Sequence, residues 1–198
     1  TSLLDAIRHS SITEGETGVG KEIMARNIHQ ISLRSGPFVV VYPASMPESL
    51  FESEFFGYER GAFTGAIRQK IGLAEMAHQG TLFIDEAGDI PAPMQIKLLR
   101  VFQDHRFMRV GGEEERHSDF RLICATNKDL WAEVKSGHFR EDLYYRLNVL
   151  HIQVPPLRAR IDDIPDLVSF FVKRCNTEMQ KNVTRIDPQI FSYLKTCP

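Results

Sequence analysis

The chain has 198 residues, of which 42% are hydrophobic and 25% charged, and its formal net charge is −2. That composition is ordinary for a soluble globular protein and is enough for one α/β domain with a small appendage. It holds no apolar run near the ~18 residues of a membrane span, and it lacks the basic excess of a domain that grips DNA by itself.

In chain order, the stretch His9, Ser10, Ser11, Ile12, Thr13, Glu14 is mostly polar and makes a poor strand by composition. A glycine-rich segment follows, then a predicted helix over 22–31, a strand over 38–41 and a helix over 48–56. The apolar run 81–84 predicts a strand, 94–105 a helix, and 107–110 before Gly111 and Gly112 a hairpin. Residues 120–125 predict a strand, 129–136 a helix and 149–154 a last strand. From about Asp162 the pattern turns helical. Asp163 and Pro165 mark an N-cap and first turn, and Asp187 and Pro188 open a second helix over 190–194. Strands alternating with helices predict an α/β fold with a largely parallel sheet. The expected division is a nucleotide-binding domain over 1–160 and a small helical lid over 161–198, ended part-way. No charged-then-apolar signal opens the chain, so the cytoplasm is the expected compartment. Cys124, Cys175 and Cys197 form no C-x-x-C pair and are expected to be buried free thiols in a reducing compartment.

The glycine-rich segment Gly15, Glu16, Thr17, Gly18, Val19, Gly20, Lys21, Glu22 fits G-x-x-x-x-G-K and leads into a helix. Glycines let backbone N–H groups curl around an anion, the helix N-terminus adds its positive end, and Lys21 reaches the outer phosphates of ATP. Glu22 stands where a Ser or Thr magnesium ligand is usual, so the motif alone also fits a glycine-rich turn. The strand over 81–84 then delivers Asp85 and Glu86. In a phosphate-loop ATPase an Asp in this place holds Mg2+, and a following Glu polarises the attacking water. The competing reading is a solvated acidic turn. The strand over 120–125 ends in Thr126 and Asn127, two side chains able to position water near a γ-phosphate, or simply to end a strand. A GTPase base-reading motif N-K-x-D fails, because Leu130 occupies the place of its acid.

Gly61, Ala62, Phe63, Thr64, Gly65 and Ala66, preceded by Glu52, Ser53, Glu54, Phe55, Phe56 and Gly57, resemble the GAFTGA signature of sigma-54-dependent transcription activators. The resemblance runs from the glycine-rich loop to Arg160. It takes in Gly80 to Glu86, Arg109 to Gly112, Ala125 to Asn127, Phe139 to Asn148, and Val154 to Arg158. Glu22 is the family's own residue after the loop lysine. The resemblance implies a P-loop AAA+ domain with a five-stranded parallel sheet and a helical lid, assembling as a homo-oligomeric, hexameric ring. It implies catalytic Asp85, Glu86, Thr126 and Asn127, with Arg140 and Arg146 reaching a neighbour's nucleotide as arginine fingers. It assigns residues 61–66 to contact with sigma-54 RNA polymerase, and leaves DNA contact to a C-terminal helix-turn-helix outside this chain.

One departure stands out. The family usually has Asn-Cys after the second strand, the Asn holding the catalytic Glu, and this chain has Tyr42 and Pro43. Either Glu86 is then unrestrained and basal hydrolysis is uncoupled from partner binding, or a buried phenol crowds Glu86 and weakens hydrolysis, which is the favoured expectation. The family's lid arginine, in a G-N-V-R-E-L stretch, is expected just beyond the last residue. The leading expectation is a Mg-ATP-hydrolysing ring that remodels closed sigma-54 RNA polymerase complexes. The rival is a nucleotide-gated module that binds ATP and sigma-54 and hydrolyses poorly. An unrelated kinase or GTPase is disfavoured by residues 61–66.

Overall fold

Short apolar strands separated by helices cannot pair as hairpins; each must cross back over the sheet and so lie parallel to its neighbour. The computed structural model describes residues 10–196. Its elements are β1 (Ser11–Glu14), α1 (Lys21–Ile31), β2 (Phe38–Val41), α2 (Glu48–Phe56), β3 (Gly57–Tyr58), β4 (Lys70–Ile71), α3 (Leu73–Met76) and β5 (Thr81–Asp85). Then come α4 (Ala92–Asp104), β6 (Arg106–Met108), β7 (Glu115–His117), β8 (Arg121–Thr126), α5 (Leu130–Lys135), α6 (Glu141–Leu147) and β9 (Leu150–Gln153). Helices α7 (Ile164–Met179) and α8 (Pro188–Thr196) follow. The main sheet runs β2-β5-β8-β1-β9, all parallel. The chain forms two compact units, one through Val154 and one from Pro155.

Side chains alternate across a strand, and here both faces are covered. On one face Phe83, Ile123 and Ala125 meet Ala25 and Ile28 of α1. On the other, Leu82, Ile84, Leu122 and Cys124 join Phe51 and Phe55 of α2 and Leu98 and Phe102 of α4. Each such large side chain contributes ~1.5–3 kcal/mol on burial. The sheet's carboxyl ends are thereby fixed by the packing beneath them.

The polar stretch that looked poor as a strand is β1, seated between β8 and β9, with His9 outside the described residues. Backbone pairing on both edges overrides weak side-chain preference. The Ser11 and Thr13 hydroxyls are buried without partners among the described residues, a cost of ~1–3 kcal/mol each, while Ile12 joins the core. Strand ends shift by a residue or so from expectation, so that β5 includes Asp85 and β8 includes Thr126. The expected hairpin is β6 with β7, paired from Arg106 and His117 to Met108 and Glu115.

Cys124 is buried, and burial pushes its thiol pKa up. Cys175 is exposed, against expectation: it lies on the apolar side of α7, four residues after Phe171, but that side is largely uncovered, with Ile164 the buried residue of the helix; Cys197 lies outside the described residues. In the second unit, Asp163 is the N-cap of α7 and Pro165 lies in its first turn. The Asn176 side chain closes the following loop, accepting from the Val183 N–H at 2.9 Å and donating to its carbonyl at 3.0 Å. Phe170, Phe171 and Tyr193 are exposed. Among the described residues no helix is long and apolar enough to cross a membrane.

Candidate functional site

Residues 15–20 bend over the N-terminus of α1. Gly20, its N-cap, has φ 101° and Gly18 has φ 84°, a left-handed backbone that L side chains resist. A Cβ at either would meet nothing within 4 Å, so torsion and not space demands glycine. The Gly15 N–H donates to the Thr126 carbonyl at 3.1 Å, tying the loop to the end of β8. Lys21 is 6% exposed. Its ammonium donates to the carbonyls of Gly15 at 2.8 Å and Glu16 at 3.3 Å and pairs with Glu86 Oε1 at 3.3 Å.

β5 brings Asp85 and Glu86 to the same place. Glu86 has φ 62° and ψ 64°, a strained conformation for a non-glycine residue that costs ~1–3 kcal/mol and persists only where neighbours hold it. They do: Glu86 Oε2 accepts from the Asn127 N–H at 2.8 Å, and Oε1 meets Lys21. Asn127 Nδ2 in turn donates to Thr17 Oγ1 at 3.0 Å. Segments separated by some 110 residues thus converge on one open cleft of about 280 Å3, lined by Thr17, Gly18, Gly20, Lys21, Glu22, Ile23, Asp85 and Glu86.

Burial raises the Asp85 pKa, Glu86 and Glu22 raise it further, and Lys21 opposes them. A carboxylate held in that setting favours a cation beside it. Among the described residues no group of three or more His, Cys, Asp or Glu side chains could hold a metal ion alone. Asp85 beside a phosphate cradle nevertheless suits Mg2+, which takes one or two carboxylates and completes its shell with phosphate oxygens and water. Glu22 is engaged by Arg26, whose Nε donates to it at 2.9 Å.

Four expected residues stand outside the cleft lining within this chain. Tyr42 is 43% exposed, so it is not a buried phenol crowding Glu86. Because β2 and β5 pair with Val41 opposite Ile84, residue 42 falls beside Asp85. Burial raises the Tyr42 pKa, and the charges of Glu22 and Asp85 raise it further. The Thr126 hydroxyl accepts from the Lys128 N–H at 3.0 Å and shapes the turn, away from the cleft lining. Arg140 and Arg146 do not line the chain's own cleft either. Arg140 grips Asp142 through two bonds of 3.0 and 2.8 Å, and Arg146 donates to the Phe102 carbonyl at the end of α4.

Residues 61–66 form a closed turn. The Gly61 N–H donates to the Ala66 carbonyl at 2.8 Å, and the Ala66 N–H to that of Phe63 at 2.9 Å. Gly61 and Gly65 have φ 85° and 101°. Phe63, 44% exposed, sets its ring edge on Tyr58, and Thr64 is exposed. The turn leans on the β6–β7 loop, where a Cβ on Gly111 would stand 2.7 Å from Ala62 Cβ. Arg109 at that loop is buried between Glu59 and Glu75, donating at 2.9 Å to one and 2.7 Å to the other.

Sequence reasoning missed Arg26, though its i+4 spacing from Glu22 on a predicted helix was a usable signal. It also missed the Arg109 clamp and the Lys128–Asp89 pair at 2.6 Å, for which spacing gives no sign.

Residues 4–153 match the family described as Sigma-54 interaction domain. The regulatory protein AtoC of Escherichia coli (strain K12) is 50% identical over 186 residues, 93% of this chain and 40% of that protein. The DNA-binding transcriptional regulator NtrC of Rhizobium meliloti (strain 1021) is 49% identical over 185 residues, 93% of this chain and 38% of that protein. Crystal structures of NtrX from Brucella abortus are 38% identical. The complex with ADP superposes with TM-score 0.86 over 99% of this chain and 46% of that one, and the complex with ATP with 0.85 over 100% and 47%. The chain spans less than half the length of each of these proteins. With its five-stranded parallel sheet and its glycine-rich loop at the sheet's carboxyl ends, the chain belongs to the Sigma-54 interaction domain family, the central P-loop AAA+ domain of sigma-54-dependent activators.

Proposed function

We propose that this chain binds Mg-ATP in the cleft and hydrolyses it within a homo-oligomeric ring, driving the remodelling of closed sigma-54 RNA polymerase complexes. The observation that carries this reading is the meeting of Lys21, Asp85, Glu86 and Asn127 around one cleft. The ATP and ADP complexes of NtrX support a nucleotide as its occupant.

The chain's own residues divide the work. The N–H groups of the loop and the end of α1 bind the phosphates. Lys21 leaves its carbonyl partners and Glu86 to meet the outer phosphates, and that exchange frees the Glu86 carboxylate to take a proton from an attacking water. Asn127 holds Glu86 through its backbone and Thr17 through its side chain, so it positions the acid against the loop. Asp85 would hold Mg2+, which supplies charge neutralisation at the phosphates when bound. Arg140 and Arg146 act on a neighbouring subunit's nucleotide, and residues 61–66 meet sigma-54. In this reading residues 1–160 are the nucleotide-binding domain and 161–198 part of a lid. The protein works in the cytoplasm, and DNA is reached through a helix-turn-helix outside this chain.

A second reading, an ATP-gated binding module with little turnover, draws support from Glu86, whose carboxylate is held by Lys21 at 3.3 Å. Phosphate release measured against protein concentration, with and without magnesium, separates the two. Specific activity that rises with concentration and requires magnesium supports the ring ATPase. Saturable ATP binding with no release at any concentration supports the module.

A further inference from the structure

The end of the sheet opposite the nucleotide cleft, where the central strand β8 begins, holds a cation that the proposed reaction does not use. Arg121 opens β8, and Thr126 closes it. At ~3.3 Å per residue the two ends of that strand lie roughly 16 Å apart. Arg121 is 3% exposed, and its Nε and Nη1 are buried with no hydrogen-bond partner among the described residues. It lines a cavity of about 200 Å3 together with Ser10, Arg34, Asp119, Phe120 and Arg146. Three guanidinium groups therefore face one carboxylate there. That carboxylate, on Asp119, is half exposed and already held by Arg34 at 3.3 Å, while Arg146 is committed to the Phe102 carbonyl.

The surroundings register the surplus charge. Burial and Arg34 push the Arg121 pKa down to about 10, which still leaves it charged at neutral pH. His29 on α1 lies 2.9 Å from Thr81, the residue that pairs with Arg121 across β5 and β8. Its pKa is lowered by burial and then by Arg121 and Arg26. A buried guanidinium without a counter-charge is strongly unfavourable, and its planar fork of donors matches a tetrahedral oxyanion. Neutralisation inside the described residues is not at hand, and the cavity has room for an ion of that size.

We propose that this cavity is an oxyanion site, distinct from the nucleotide cleft, in which Arg121 with Arg34 binds inorganic phosphate or the phosphate group of a small ester. Its two binding residues, Arg121 and Arg34, have no part in the ATPase reading and do not line the cleft, although Arg146, which that reading assigns to a neighbouring subunit's nucleotide, forms part of the cavity wall.

The test titrates inorganic phosphate into the full chain saturated with ADP, at constant ionic strength against chloride, by isothermal calorimetry. ADP keeps phosphate out of the cleft. One phosphate should bind per chain, at least about tenfold more weakly in Arg121→Met and about two- to fivefold more tightly in Asp119→Asn, which removes the competing carboxylate. Should Arg121→Met fail to fold, Asp119→Asn and the unmodified protein carry the test, because bound phosphate should also raise the His29 ring pKa in an NMR titration. A phosphorylated ester such as glycerol phosphate, run in a second arm, distinguishes the two sources by whichever binds more tightly. Absence of phosphate binding to the unmodified protein overturns the proposal, and so does binding with equal affinity in Asp119→Asn and an unmoved His29. Phosphate binding that weakens as the protein is concentrated assigns the cavity to a carboxylate of a second copy and overturns it as well.

Discussion

Two glycine-rich loops in this chain share a backbone geometry and differ in chemistry. Residues 15–20 and residues 61–66 both turn on left-handed glycines, with φ from 84° to 101° at Gly18, Gly20, Gly61 and Gly65. In the first, the N–H groups of Gly18, Gly20 and Lys21 find no acceptor among the described residues, and they stand at the start of an 11-residue helix beside a buried lysine. In the second, the N–H groups of Gly61, Ala62 and Ala66 are spent on carbonyls of the same turn or its approach, at 2.8 to 3.1 Å. The N–H groups of Phe63, Thr64 and Gly65 also find no acceptor among the described residues, but they do not open a helix beside a buried lysine, so the first loop and not the second is built to hold an anion. What the second offers is outward: an aromatic ring and a hydroxyl on a base braced by Arg109 and Gly111. The lesson is that a glycine motif is read from what stands beside its free donors, not from its glycines.

Mutations that act on one loop and spare the other sharpen this contrast. The largest expected effect is on Glu86. Glu86→Gln keeps the side chain's size and removes the proton acceptor, so phosphate release should fall by about 10²–10⁴. ATP affinity should hold or improve, since Lys21 loses its internal carboxylate partner. If release falls no more than about threefold, Glu86 is not the base.

Next is Thr64→Ala, which should abolish capture of sigma-54 by the protein bound to a non-hydrolysable ATP analogue while leaving analogue affinity unchanged. Full capture in a pull-down would remove residues 61–66 from the contact surface.

A smaller effect concerns stability. The folded-state pKa of Asp85 is raised above its unfolded value, so the folded protein binds the proton more readily and stability falls as pH rises through that window. Asp85→Asn should therefore melt higher than the parent at pH 7 in the absence of nucleotide and magnesium. The difference should vanish below about pH 3.9, the ordinary Asp value. A lower melting temperature at pH 7 would mean that Asp85 is stabilised by partners and not strained by its neighbours.

The smallest is Tyr42→Asn. The side chain lies beside Asp85 and Glu22 and makes no contact that holds Glu86, so basal phosphate release should change by less than about threefold. A tenfold change would restore residue 42 as a restraint on the catalytic glutamate.

Much of the fold was legible because the buried strands β2, β5 and β8 are largely apolar runs, and the polar ends of β5 and β8 carry site residues. β1 was not, because pairing on both edges admits Ser11 and Thr13 where composition argues against a strand. Within the site, Lys21, Asp85 and Glu86 were readable from the kind of residue at each strand end. The partners of Glu86 were not, since the Asn127 N–H is a backbone group and nothing in sequence announces it. Thr126, Arg140 and Arg146 show the same limit: sequence named the side chains, and only geometry shows that within one chain their bonds are local. Residues 61–66 carried meaning through family resemblance alone.

The central claim is that residues 15–22 with Asp85 and Glu86 form the ATP site and that residues 61–66 do not. Isothermal calorimetry of Mg-ATP with the parent, Lys21→Ala and Thr64→Ala tests it in one series. The account predicts an affinity lost by at least about a hundredfold in Lys21→Ala and unchanged within about twofold in Thr64→Ala. Parent-like affinity in Lys21→Ala, or its loss in Thr64→Ala, would contradict it.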